Sequence, residues 1–177
     1  DSNRQPDIYV RDLTTNTTTL ISRNAAGTNG GNNRSYAPTI SADGMYVTFL
    51  SDATDLTSLP DTNNQPDLFS YSLATGQVTM LSTNSAGTAA SNAGVQPRYR
   101  MDDSGLKVAF LSRSEDLMPG TGFNFFNVNF FLRNVATGTT SLISHGPAGE
   151  ARGTAGEIGL SRDGSTAGRC ASRCETG

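Results

Sequence analysis

Four segments decide the reading of this chain: Pro38-Thr-Ile-Ser41, Tyr46-Val-Thr-Phe-Leu-Ser51, Leu68-Phe-Ser-Tyr-Ser-Leu73 and Gln77-Val-Thr-Met-Leu-Ser82. Each is short, rich in β-branched and aromatic residues, and bounded by turn-forming residues, the signature of a strand. Asp43-Gly44 supplies the left-handed backbone that a tight hairpin demands, and Thr75-Gly76 does the same one hairpin later.

The pattern recurs on both sides of this segment. Asp1-Ser-Asn-Arg-Gln-Pro-Asp7-Ile-Tyr matches Asp61-Thr-Asn-Asn-Gln-Pro-Asp67-Leu-Phe at an offset of 60, and Asn129-Phe-Phe-Leu-Arg-Asn-Val135 follows Asp67–Leu73 at an offset of 62. Ile40-Ser-Ala-Asp-Gly44 returns as Met101-Asp-Asp-Ser-Gly105 and as Leu160-Ser-Arg-Asp-Gly164. Leu13-Thr-Thr-Asn16 returns as Leu73-Ala-Thr-Gly76 and Val135-Ala-Thr-Gly138, with Asn16 at the position of the two glycines. Asn tolerates positive φ better than other non-glycine residues, so the turn is expected to survive there. Three markers in constant order divide the single domain 1–177 into units 1–60, 61–122 and 123–177, with the chain beginning at a unit boundary.

Composition agrees. Ser, Thr, Asn and Gly make up about two-fifths of the 177 residues, which suits short strands with many turns and disfavours helix. No helical periodicity extends over a useful length. Charged residues are 16% and the net charge is −3, with a single lysine, Lys107, and scattered arginines, so no basic stripe awaits nucleic acid or anionic lipid. The longest apolar runs fall far short of a membrane span.

Four strands about every 60 residues predict an all-β fold of β-propeller blades, each a four-stranded sheet. The chain resembles the TolB-like propeller repeats of exported bacterial proteins, through Pro-Thr-Ile-Ser-Ala-Asp-Gly44, the following Tyr-Val-Thr-Phe, and Asp67-Leu-Phe with its trailing Ala-Thr-Gly76. The resemblance implies export and a scaffold that serves as a protein-interaction platform or as the propeller part of a larger hydrolase. It implies no particular activity.

Residues 8–22 supply only a third and an outer strand, and 157–161 only an inner strand, so the expected count is two complete blades, Ala37–Thr83 and Gln96–His145, plus one composite. Three blades are too few to close a ring. The chain is therefore expected to be half of a six-bladed ring, of a size TolB-like rings commonly adopt, or a propeller fragment, and to assemble as a dimer or a filament. The third unit departs from the pattern after Gly164: where Val47 and Phe49, or Val108 and Phe110, follow the earlier glycines, it has Ala167 and Arg169. A normal second strand is not expected there, which leaves unpaired edges on the inner strand 157–161 and the third strand 8–13. Val47, Phe49, Val108, Phe110, Ile8, Leu68 and Phe130 are expected between neighbouring sheets.

Candidate chemistry is sparse. Asp1-x-Asn3-x-x-x-Asp7 and Asp61-x-Asn63-x-x-x-Asp67 carry oxygen ligands at alternating spacing, as calcium loops do, but lack a bidentate glutamate and a central glycine. The competing reading is that these side chains bond local amides and shape the turn. His145, the single histidine, has no Gly-x-Ser-x-Gly elbow to work with and reads as a turn residue. Asp102-Asp103 and Glu115-Asp116 are acidic pairs of the kind used in glycoside hydrolysis, placed in a hairpin turn and a polar loop. Cys170 and Cys174 are spaced as Cys-x-x-x-Cys, unsuited to haem and too few for zinc. A local disulfide, an intermolecular bridge and free thiols all stay open. Asn16-Thr-Thr18 and Asn33-Arg-Ser35 fit a glycosylation pattern that an Asn- and Thr-rich chain meets by chance. Tyr9, Tyr71, Tyr99 and the Phe123–Phe131 cluster are either ligand-stacking surfaces or blade core.

No catalytic, cofactor or metal residue is assigned. The expectation is a non-catalytic, exported propeller module that binds itself or another protein through strand edges. The alternatives are a carbohydrate or small-ligand binder and an accessory propeller of a larger hydrolase.

Overall fold

A computed structural model describes residues 3–120, 127–145 and 157–169. The described residues contain twelve strands and no α-helix. They are β1 (Tyr9–Asp12), β2 (Thr17–Leu20), β3 (Ser35–Ile40), β4 (Tyr46–Ser51), β5 (Asp67–Ser72), β6 (Gln77–Met80), β7 (Val95–Met101), β8 (Lys107–Ser112), β9 (Asn129–Asn134), β10 (Thr139–Leu142), β11 (Ile158–Leu160) and β12 (Ala167–Arg169). Two sheets are complete and antiparallel, β3-β4-β5-β6 and β7-β8-β9-β10, and two are hairpins, β1-β2 and β11-β12.

The hairpin turns have the backbone their residues foretell. Gly44, Gly105 and Gly164 all have φ between +64° and +73°, and Asn16 (φ +59°) takes the place of Gly76 and Gly138 (both +68°). Both inner strands bulge, at Tyr36/Thr39 and between Val95 and Tyr99. At the first bulge Ala37 holds φ +53°.

Alternation then sorts each strand between two faces. Val47, Phe49, Phe69 and Tyr71 face β1-β2 and form one core with Ile8 and Ile21. Leu50, Leu68 and Leu81 face the other way and pack on Val108, Phe110, Phe131 and Leu142. Ala109, Leu111 and Phe130 pack on Ile158. All seven residues expected in the core are buried, although Ile8 immediately precedes β1 rather than lying in it. Within each complete sheet a phenylalanine pair stacks across strands, Phe49 on Phe69 at 5.8 Å between centroids and Phe110 on Phe131 at 5.7 Å.

Backbone bonds tie successive sheets together. The Ala42 N–H donates to the Asp103 carbonyl (2.9 Å) and the Asp103 N–H to the Arg162 carbonyl (2.7 Å), linking the three inner turns. In the loops at the other end, the Ala25 N–H donates to the Asp55 carbonyl (2.7 Å) and the Ser85 N–H to the Asp116 carbonyl (2.8 Å).

Two expectations need correction. Ala167–Arg169 does form a second strand, pairing with β11 in register Ile158↔Arg169 and Leu160↔Ala167. Ala167 fills its place by packing on the third core, and three residues suffice for the pairing because β11 itself is short. The open edge consequently moves from the inner strand to β12. Secondly, β1-β2 and β11-β12 are two separate sheets and do not join into a composite blade within the chain. They stand at opposite ends of the row, each against a different complete sheet.

Candidate functional site

The Asp loops are built around a repeated serine. Ser22 Oγ donates to Asp7 Oδ1 (2.6 Å) and accepts from the Ile8 N–H (2.9 Å). Ser82 Oγ repeats this with Asp67 Oδ1 (2.5 Å) and the Leu68 N–H (3.0 Å). Ser144 Oγ repeats it with Asn129 Oδ1 (3.2 Å) and the Phe130 N–H (2.9 Å). Each lock ties the start of a third strand to the end of the outer strand, and all three serines are fully buried. The constant separation of 15 residues between partners is the sequence signal of these locks.

The asparagines of these loops shape the backbone. Asn3 Oδ1 and Asn63 Oδ1 accept from the Gln5 and Gln65 N–H groups (both 2.6 Å). Asn63 Nδ2 donates to the Ser91 carbonyl (2.7 Å), and Asn3 Nδ2 donates to the Gly31 carbonyl. What remains for a cation is, in the first loop, Asp7 Oδ2, buried without a hydrogen bond, and in the second Asp61, whose Oδ1 is likewise buried without one, with Asp67 Oδ2, which accepts only a 3.3 Å bond from Asn63. Burial pushes the Asp67 carboxyl up to about 7, with the nearby Asp61 charge adding to it. Burial raises Asp61 as well. Among the described residues no three His, Cys, Asp or Glu side chains converge as a metal site.

The other candidates are not brought together. Asp102 Oδ1 accepts from the Lys107 N–H (3.0 Å) and Oδ2 from Ser104 Oγ (2.8 Å), so it shapes its own hairpin. Asp116 accepts from the Asn92 N–H (3.0 Å) and Ser114 Oγ (2.6 Å), holding two loops together, while Asp103 is exposed beside its turn and Glu115 half-buried. His145 is exposed just after β10. Cys170 and Cys174 lie outside the described residues, as do Asp1 and Phe123–Phe126. Asn16 sits in the β1-β2 hairpin and Asn33 is exposed.

The aromatics divide sharply. Tyr71 and Tyr99 belong to the core, and the Tyr99 hydroxyl reaches the Thr48 carbonyl (2.7 Å) and the Ala37 carbonyl across the sheet interface. Burial pushes its phenol up to about 12. Phe130 and Phe131 are fully buried. Among the described members of that set, Tyr9 alone is turned out, at 55% exposure.

Strand pairing explains why. Tyr9 pairs with Leu20 as Phe69 pairs with Met80 and Phe131 with Leu142. Phe69 and Phe131 each stack on a phenylalanine from the strand beside them, Phe49 on β4 and Phe110 on β8. The β1-β2 hairpin has no such strand among the described residues, so Tyr9 lacks that cover and one edge of β1 is unpaired. At the other end, β12 pairs among the described residues with β11 alone. Leu13, beside the first hairpin, is 88% exposed.

No protein-family profile and no curated protein sequence matches the chain. Solved structures resemble it at low identity. A putative TolB from Agrobacterium tumefaciens is 21% identical with a TM-score of 0.44, over 77% of this chain and 40% of that protein. TolB from Acinetobacter baumannii is 21% identical with a TM-score of 0.47, over 98% of this chain and 34% of that protein. Oligogalacturonate lyase from Vibrio parahaemolyticus is 13% identical with a TM-score of 0.47, over 81% of this chain and 34% of that protein. The chain thus spans between a third and two-fifths of the length of the solved proteins it is similar to.

Proposed function

We propose that this chain is a non-catalytic, exported propeller module that works by protein–protein association through the open edges of its two terminal hairpins. The observation that supports this is the exposed Tyr9 beside the unpaired edge of β1, at a register position that is fully buried in both complete sheets. Unpaired edges recruit strands, and an aromatic beside one adds a large apolar area to the contact.

The two hairpins are complementary halves. In a complete sheet the order is β3-β4-β5-β6, where β11-β12 corresponds to the first two strands and β1-β2 to the last two. Setting β12 of one copy beside β1 of another yields β11-β12-β1-β2, a four-stranded blade shared between chains. Two copies closing on each other form a ring of six blades, and a rotation that does not close forms a filament. Sedimentation velocity at several concentrations tests this reading. A mass that rises with concentration, and that falls back to one chain in Tyr9→Lys, is the expected result. A parent protein that sediments as a single chain at every concentration would overturn self-association.

A further inference from the structure

The interface between the two complete sheets holds a cation that nothing accounts for. Arg133 lies on β9, two residues beyond Phe131 and on the same face, and is only 9% exposed. Its Nη1 donates to Thr140 Oγ1 at 3.0 Å, its Nε is buried without a hydrogen-bond partner, and no carboxylate pairs with it among the described residues. Burial lowers its pKa, the direction expected of a charge taken from water without compensation.

The neighbouring interface shows what this place looks like when it is satisfied. Pairing makes Tyr71 the counterpart of Arg133: Tyr71 pairs with Val47 and Val78, and Arg133 with Val108 and Thr140. At that first interface the guanidinium comes from Arg23 instead and donates to the Gly76 carbonyl (2.6 Å) in the hairpin turn. The counterpart of Arg23 is Thr83, as their equivalent bridges to Gly30 and Ala90 show, and Thr83 Oγ1 is also buried without a partner. The second interface has therefore exchanged a bonded Arg23 for two buried polar atoms without hydrogen-bond partners, Thr83 Oγ1 and Arg133 Nε. Arg133 also lines an open pocket of about 350 Å³, together with Ser85, Met118, Pro119, Thr139 and Thr140.

We infer that this pocket is a binding site for a small hydroxy-carboxylate, whose carboxylate lies against the Arg133 guanidinium and whose hydroxyls meet Ser85 and Thr140. One uncompensated guanidinium balances one negative charge, which a single carboxylate brings and a phosphate exceeds. The hydroxyl side chains donate and accept, which suits a polyhydroxylated ligand, and Met118 and Pro119 supply an apolar wall.

Calorimetric titration with gluconate, glucose and inorganic phosphate tests the assignment on the chain as described. Gluconate should bind saturably, glucose should not, and phosphate should bind more weakly than gluconate. Arg133→Met should weaken gluconate binding by about tenfold or more, the loss of a charge-assisted hydrogen bond. Ser85→Glu places a carboxylate at the exposed rim of the pocket, and it should cause a comparable loss through internal pairing with Arg133. This second variant leaves the buried residues untouched, so it serves if Arg133→Met fails to fold. Equal binding of glucose and gluconate, tighter binding of phosphate, no saturable binding of gluconate, or unchanged affinity in both variants would each overturn the site.

Discussion

Asp67→Asn is the substitution whose effect the structure specifies most closely. Asp67 is fully buried, and its carboxyl stands at about 7 instead of 3.8, chiefly because burial disfavours the charged form. A folded-state value above the unfolded one means that the native protein holds a proton the unfolded chain has released. The contribution to stability is therefore complete below about pH 4 and is lost as pH rises through about 7. At about 1.4 kcal/mol per pH unit the full displacement corresponds to about 4 kcal/mol, and relaxation of the site reduces it toward half that value. The chain carries its own template for the replacement: Asn129 occupies the equivalent lock and accepts from Ser144 Oγ at 3.2 Å. In Asp67→Asn the Ser82 hydroxyl keeps an acceptor, and Asn63 keeps its 2.7 Å bond to the Ser91 carbonyl. Urea unfolding from pH 4 to pH 8, for parent and variant, is the assay. The difference between the two isolates Asp67 from groups such as Asp163, which hydrogen bonds hold down near 2 and whose pH dependence runs the opposite way. The variant should match the parent near pH 4 and exceed it by about 2–4 kcal/mol at pH 8. A variant less stable than the parent at pH 8 would refute the reasoning, because it would mean that the ionised carboxylate is wanted in place. Added calcium should leave both midpoints unmoved, since both side-chain atoms of Asn63 are committed to the backbone.

Other substitutions probe the scaffold. Phe49→Ala empties a fully buried position stacked on Phe69 and should cost about 3–5 kcal/mol in urea unfolding, without a change in the antiparallel spectrum of the remaining fold. Asn16→Ala places a Cβ-bearing residue without a turn-forming side chain at φ +59° and should destabilise by about 1 kcal/mol, whereas Asn16→Gly should be neutral or better by thermal melting.

Much of this architecture was legible because it depends on local rules applied three times over. Turn residues fix the hairpins, strict alternation fixes which side chains face which sheet, and the repetition turned weak signals at Asn16, Gly76 and Gly138 into one consistent turn. Val47, Phe49, Val108 and Phe110 could be placed in the core for the same reason. Long-range placement was less accessible. Ala167 keeps a short strand paired because it needs to fill only a small space against the third core, a fact about its neighbours rather than about itself. The separation of β1-β2 from β11-β12 follows from how far the row of sheets extends, which no local pattern encodes. The serine locks were visible in principle, yet Ser22, Ser82 and Ser144 vanish among 19 serines until their partners are known. Arg133 stands out only beside Tyr71 and Arg23, once pairing shows that the two interfaces solve the same contact differently.

The proposed association sets a second copy of the chain on the open edges of β1 and β12. Amide hydrogen exchange resolved by strand, compared between dilute and concentrated protein, tests it most directly. Protection should rise with concentration in Tyr9–Asp12 and Ala167–Arg169 while β4 and β8, already flanked on both sides, stay unchanged. Association that leaves the exchange of both edges as fast as in dilute protein would contradict it.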